Sequence, residues 1–223
     1  MKRLFIFLTL LLAVQPAFAR NTPEQWLETQ GKALLEALSD TNDQSRFDKT
    51  RTIAETSFHK NELSRLALGR YWRMFSDEQK TRYRELFFDY FLTLYTKTPL
   101  SVKDLQFQIT DKRFSDKDVL LKVAVDGSPV VQISYDSQKT TDQTLNPMRI
   151  ELIFALRERA DGFYIRDVQI EGQSMLLFLR KEIEDSLRRA GSMPDRFLSD
   201  MNNTIKQGRI KRGTTGNSAN SAG

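Results

Sequence analysis

Few side chains in this sequence could do covalent chemistry: there is one histidine, His59, and no cysteine in 223 residues. A histidine-based nucleophilic triad or a zinc centre lacks parts unless His59 works with carboxylates alone. His59 lies in a polar helical stretch, where a surface or helix-end place suits it better. Gly172-Gln173-Ser174 begins like a G-x-S-x-G nucleophile elbow, but Leu176 stands where the second glycine belongs. Ser174 is better read as a helix cap. The phosphate-binding pattern G-x-x-x-x-G-K-[ST] does not occur. One enzymatic reading survives, a carboxylate general base in an apolar interior, with Asp167 as candidate. Strand alternation turns Asp167 away from Val168 and Ile170, which favours a structural hydrogen bond. The expectation is therefore no catalytic residue, no metal and no cofactor.

Those residues sit in a chain whose start reads as an export signal. Lys2 and Arg3 precede the apolar run 4–14, then Pro16 and the small-x-small sequence Ala17-Phe18-Ala19. Residues 1–19 are expected to be a signal peptide cleaved after Ala19. The run is shorter than the ~20 residues of a spanning helix. Charges interrupt every later apolar stretch, so a soluble exported protein is predicted. Losing Lys2 and Arg3 lowers the formal charge from +5 to +3. That mild balance gives little support for nucleic acid and is compatible with anionic lipid headgroups. Without disulfides, stability must come from a packed core.

Helical patterns cover residues 22–38, about 47–58 and 61–75. Ser76 and Gln79 form a capping box for a further helix running to about Thr96. On it, Tyr83, Leu86, Phe87, Phe88, Tyr90, Phe91, Leu92, Leu94 and Tyr95 cover roughly two-thirds of the circumference. Such an arc implies contact on two sides, with protein or with an apolar ligand. After Pro99 the period becomes two. Leu105, Phe107 and Ile109 alternate with polar residues, as do Val119, Leu121, Val123 and Val125. A turn is expected at Gly127, followed by Val131, Ile133 and Tyr135, then a polar segment 136–146. Ile150, Leu152, Phe154 and Leu156 mark another strand, and Asp161-Gly162 turns into the last one, 163–171. Short turns between consecutive strands indicate an antiparallel sheet with one oily and one wetter face. An amphipathic helix follows Ser174, a short one is expected over 197–205, and residues 208–223 read as a disordered basic and polar tail.

Two segments resemble a known family. Leu68-Gly69-Arg70-Tyr71-Trp72-Arg73, followed by the capped helix from Ser76, is similar to the L-G-x-Y-[WY]-[RK] … [ST]-x-E-Q-[RK] signature of the MlaC, or toluene-tolerance, family. The stretch Tyr164-Ile165-Arg166-Asp167-Val168-Gln169-Ile170-Glu171-Gly172-Gln173-Ser174 resembles its Y-D-[VM]-x-x-E-G-[VI]-S strand-to-helix junction. Here Arg166 replaces the usual Tyr before Asp, Gln173 the usual Val after Gly, and Phe163 the common Trp, and the polar insertion 136–146 is longer than expected.

The resemblance implies an α+β fold: a twisted antiparallel sheet of about four to five strands packed against several helices around an apolar lipid pocket, spanning residues 20–207. It also implies a periplasmic phospholipid carrier of the maintenance-of-lipid-asymmetry system. The expected partners are phospholipid, an inner-membrane ABC transporter with an MCE-domain protein, and an outer-membrane lipoprotein–porin complex. Nucleic acid is not expected as a partner, and the protein is expected to be a monomer. Inward parity and helical face then select Phe87, Phe91, Tyr95, Val123, Val125, Ile133, Leu152, Phe154, Val168, Ile170, Met175 and Phe178 as contacts for acyl chains. Arg70 and Arg73 are candidates for phosphate or for surface ion pairs, the latter preferred. The competing expectation is a periplasmic protein-interaction module without a lipid cavity.

Overall fold

The computed structural model describes the backbone of residues 21–95, 101–136, 139–144 and 148–220, and the side chains of 21–93, 106–127 and 148–209. The described chain begins with helices α1 (Pro23–Leu38), α2 (Asp43–Ser57) and α3 (Lys60–Leu68), a 3-10 turn (Gly69–Met74) and α4 (Asp77–Tyr95). Strands β1 (Ser101–Ser115), β2 (Asp118–Asp136), β3 (Lys139–Thr144), β4 (Met148–Arg159), β5 (Gly162–Ile170) and the two-residue β6 (Gln173–Ser174) follow. Helices α5 (Met175–Arg189) and α6 (Pro194–Asn220) complete it. This is the expected α+β class.

Helix starts follow local chemistry. Thr22 and Gln25 cap α1 reciprocally, Ser76 and Gln79 do the same at α4, and Asn42 Oδ1 accepts from Ser45 N at 2.8 Å. His59 Nδ1 accepts from Glu62 N at 3.2 Å, the helix-end place anticipated for it. Helix α3 ends at Gly69, whose φ of 56° lies in the left-handed region where a side chain is strained.

The sheet order is β1-β2-β4-β5-β6, with β3 pairing on β2, and every pairing is antiparallel. Two expectations need correction here. Gly127 makes no turn: β2 runs straight through it, with Gly127 opposite Met148, and the register against β1 shifts between Lys103 and Gln106. A glycine inside a strand marks such an irregularity. The polar segment 136–146 is not merely a connection, because β3 within it folds back onto β2.

A β-bulge interrupts β5, where Ala155 faces Asp167 but Leu156 faces Ile165. Arg166 is the extra residue. The bulge resets the alternation, so Phe163, Ile165 and Val168 all enter one apolar cluster although their numbers differ in parity.

Helix α6 continues to Asn220, past the boundary at 208 where composition suggested a disordered tail. Arg209 Nη2 donates to Asp89 Oδ2 on α4 at 2.9 Å, giving the helix a tertiary anchor beyond Gly208. Among the described residues, no helix is long and apolar enough to cross a membrane.

Candidate apolar binding site

Two apolar clusters fill the interior. The helix cluster gathers Leu63, Leu68, Phe75, Tyr83, Phe87, Phe88, Leu179, Ile183 and Phe197, among others. The sheet cluster gathers Trp26 and Leu27 of α1 with Leu121, Val123, Leu156, Phe163, Ile165 and Val168. Phe58 and Met175 pack against both and form the seam between them. The Phe58 ring lies 6.4 Å from that of Phe88, and its backbone bridges to Ile165.

Cover over the sheet's inner face is graded along the strands. In the row Leu121–Phe154–Val168, Leu121 is 0% and Val168 7% exposed, with Phe154 half-buried between them. In the next row, Val123–Leu152–Ile170, Val123 is still 0% exposed, Leu152 is half-buried and Ile170 reaches 47%. Beyond it, Phe107, Val125 and Ile150 are each only half-buried. Phe107 is met by α1, where a Cβ on Gly31 would touch its ring at 3.4 Å. The inner face is thus covered by helices over β4 and β5 towards their turn and opens towards the start of β4, while at the β1 edge Phe114, opposite Val119, is 76% exposed.

The anticipated contacts fall into three places. Val123, Val125, Leu152, Phe154, Val168 and Met175 come together on the sheet cluster. Phe87 belongs to the helix cluster instead, 1% exposed, its ring 5.7 Å from Tyr83 and 5.5 Å from Phe88, while Phe91 packs partly against that cluster. The apolar arc of α4 is therefore satisfied largely by other helices. Ile170 and Phe178 are 47% and 46% exposed, at the edge of the covered surface rather than inside either cluster. Tyr95 and Ile133 have backbone places in α4 and β2, but their side chains lie outside the described residues.

Sequence reasoning did not select Phe58, Phe107 or Ile109, all of which pack on the sheet cluster. The period-two pattern of β1 carried the signal for Phe107 and Ile109. Phe58 is a single aromatic at a helix end with no periodic signal.

At the bulge, Arg166 reaches Glu62 at 3.2 Å and Asp118 at 2.7 Å, Arg157 also holds Asp118 at 2.8 Å, and Tyr164 Oη donates to Glu62 at 2.8 Å. Burial, then the Glu62 carboxylate, holds the Tyr164 phenol above its ordinary range.

Asp167 accepts from Val168 N at 2.9 Å, Ser174 Oγ at 2.6 Å and Leu176 N at 3.0 Å. Ser174 Oγ also accepts from Leu177 N at 3.2 Å, so both groups are occupied in capping the strand-to-helix junction. Among the described residues, no three His, Cys, Asp or Glu side chains converge as metal ligands do. Arg70 pairs with Glu184 and contacts Tyr71 Oη at 3.1 Å, the surface ion pair preferred for it. What the arrangement can do is exclude water from a hydrocarbon surface and leave one end of that surface accessible.

Fold and site define an α+β protein in which an antiparallel sheet is closed by helices over most of one apolar face. The family model described as MlaC protein matches residues 30–146, and the chain belongs to the MlaC family. Its fold is similar to that of a phospholipid-binding protein from Ralstonia solanacearum, solved in complex with a phospholipid. The TM-score is 0.60 at 15% identity, over 82% of this chain and 96% of that one. No curated protein matches the chain by sequence.

Proposed function

We propose that this protein is a periplasmic carrier that holds a phospholipid by its acyl chains. In this reading it shuttles that lipid between an outer-membrane lipoprotein–porin complex and an inner-membrane ABC transporter with an MCE-domain protein, maintaining outer-membrane lipid asymmetry. The observation that carries it is the graded cover of the sheet: an apolar face covered most fully by helices over β4 and β5 towards their turn and open towards the start of β4. Membership of the MlaC family and the phospholipid in the similar Ralstonia structure support the same reading. At ~0.8 kcal/mol per methylene, moving bare acyl chains through water costs tens of kcal/mol, so a shuttle must enclose them.

Val125, Leu152, Phe154, Val168, Met175 and Phe91 are assigned as tail contacts, with Tyr95 and Ile133 alongside. Val123 and Phe87 back them from the two clusters. Residues 1–19 direct export, residues 20–207 form the lipid-binding unit, and the carrier acts as a monomer without catalysing a reaction. Native mass spectrometry of the protein purified from periplasm without detergent tests this. A stoichiometric phospholipid is expected. An empty protein that also takes no lipid from vesicles would overturn the carrier in favour of an interaction module whose core is filled by its own side chains.

A further inference from the structure

Among the described residues, every half-buried arginine but one holds an oxygen. Arg157 and Arg166 both hold Asp118, Arg51 holds Asp89, and Arg180 Nε donates to the Leu66 carbonyl. Arg84 on α4 is half-buried too, yet its guanidinium meets neither a carboxylate nor a carbonyl of the described residues. Its Nε is closed off from solvent without a hydrogen-bond partner, which a buried donor rarely tolerates.

What Arg84 does meet is Trp72, half-buried on the 3-10 turn. The guanidinium carbon lies 4.9 Å from the centre of the ring, and Lys80 Nζ, one turn earlier on α4, lies 5.6 Å from the same ring. Positions 80 and 84 share a helix face, so two like charges converge there, an unfavourable arrangement by itself. Lys80 pairs with Asp77 at 2.9 Å, but the Asp77 side chain is fully exposed while that of Lys80 is 20% exposed, so solvent screens the pair. The Asp77 carboxyl is held below its ordinary value by the hydrogen bond from Lys80 and by the Lys80 charge, and the field of Arg84 adds least. Lys80, Arg84 and Asp77 together remain positive.

We propose that Arg84 and Lys80, over the Trp72 ring, bind the phosphate group of a ligand. The indole limits where the guanidinium can go, the Arg84 fork presents donors to two oxygens of a tetrahedral anion, and the Lys80 ammonium supplies a point charge beside it. The anion relieves the repulsion between the two cations and satisfies the Nε donor. Two sources share this chemistry. One is the phosphate of a phospholipid headgroup, which rests on the carrier reading; the other is inorganic phosphate, which does not.

The test follows the indole N–H resonances of Trp26 and Trp72 in the isotope-labelled mature chain, gently delipidated, as inorganic phosphate is added at an ionic strength held constant with chloride. The Trp72 resonance should shift saturably while that of Trp26 stays in place. Arg84→Gln and Lys80→Gln should each weaken binding about tenfold, with circular dichroism unchanged. Arg84→Lys keeps the charge but loses the fork, and should fall between wild type and Arg84→Gln. Protein loaded with phosphatidylglycerol separates the sources. If the lipid's phosphate takes the site, added phosphate no longer shifts Trp72 and the phosphorus resonance of the bound lipid moves in Arg84→Gln; if inorganic phosphate is the ligand, the titration is the same with and without lipid. No Trp72 shift in the delipidated wild type, or equal affinity in wild type and both glutamine variants, would overturn the site and leave the carrier standing. Protein that binds phosphate beside Trp72 yet never holds phospholipid would uphold the site and overturn the carrier.

Discussion

Gly69 and Arg180 interlock. A Cβ on Gly69 would lie 3.3 Å from Arg180 Nε, and that same Nε donates to the Leu66 carbonyl at 3.0 Å. The contact closes the last turn of α3 against α5 with a cation on a carbonyl of that turn. It also gives a physical reason for glycine in the Leu68-Gly69-Arg70 stretch: the position needs both a left-handed φ and the absence of a side chain.

Gly69→Ala is accordingly expected to cost about 1–3 kcal/mol of folding stability, from backbone strain plus crowding of Arg180. Gly172→Ala is the control, because Gly172 has φ of 79° with nothing within 4 Å of its absent Cβ. Urea unfolding of the two variants should show the larger loss at Gly69. Equal losses would mean that the Arg180 contact contributes nothing.

Along one strand, burial separates stability from cargo. Leu121→Ala removes a side chain with 0% exposure and should cost roughly 2–5 kcal/mol. Val125→Glu, at the half-buried open end, should leave the fold intact and reduce the phospholipid retained on purification. Thermal unfolding and native mass spectrometry read the two effects separately. A folded Val125→Glu protein with unaltered lipid content would exclude Val125 from the site.

Asp89 is buried on α4 and pairs with Arg51 of α2 and Arg209 of α6. Asp89→Asn should release the distal part of α6 more than it destabilises the whole. Amide exchange around residues 205–209 is expected to speed up while the β2 and β4 amides stay protected. Uniform acceleration across the protein would show a global effect instead.

The Asp40 carboxyl is held well below its ordinary value of 3.8 by hydrogen bonds from Lys49 Nζ at 2.7 Å, Ser45 Oγ at 2.6 Å and Asn42 N at 2.9 Å. A depressed carboxylate stabilises the fold fully above its unfolded pKa and stops doing so as pH falls through its folded one. Asp40→Asn should therefore lower the melting temperature at neutral pH, and its deficit against wild type should shrink steadily below about pH 4. A deficit independent of pH would show that the carboxylate's charge is not what matters.

Helix starts were legible because each is a local event. Ser76 with Gln79, and Ser174 before Leu177, are pairs three residues apart whose hydrogen bonds form wherever the helix lies. The strands were legible from alternation, and the sheet from short turns. The bulge at Arg166 was not, because it exists to bring that guanidinium to Glu62 and Asp118, residues far away in the chain.

From its order of residues alone, this protein determined most of its helix starts, most of its strands, the absence of cysteine, a capping place for Ser174 and a structural hydrogen bond for Asp167. Tertiary structure decided which apolar side chains are core and which border the open end. Val168 and Ile170 share parity and strand, yet one is 7% and the other 47% exposed. Likewise Phe87 shares helix α4 with Phe91, but Tyr83 and Phe88 close over its ring. Periodicity sets the direction of a side chain, whereas its cover depends on which distant element reaches that place. At the open end of this sheet, helical cover stops before the apolar rows do.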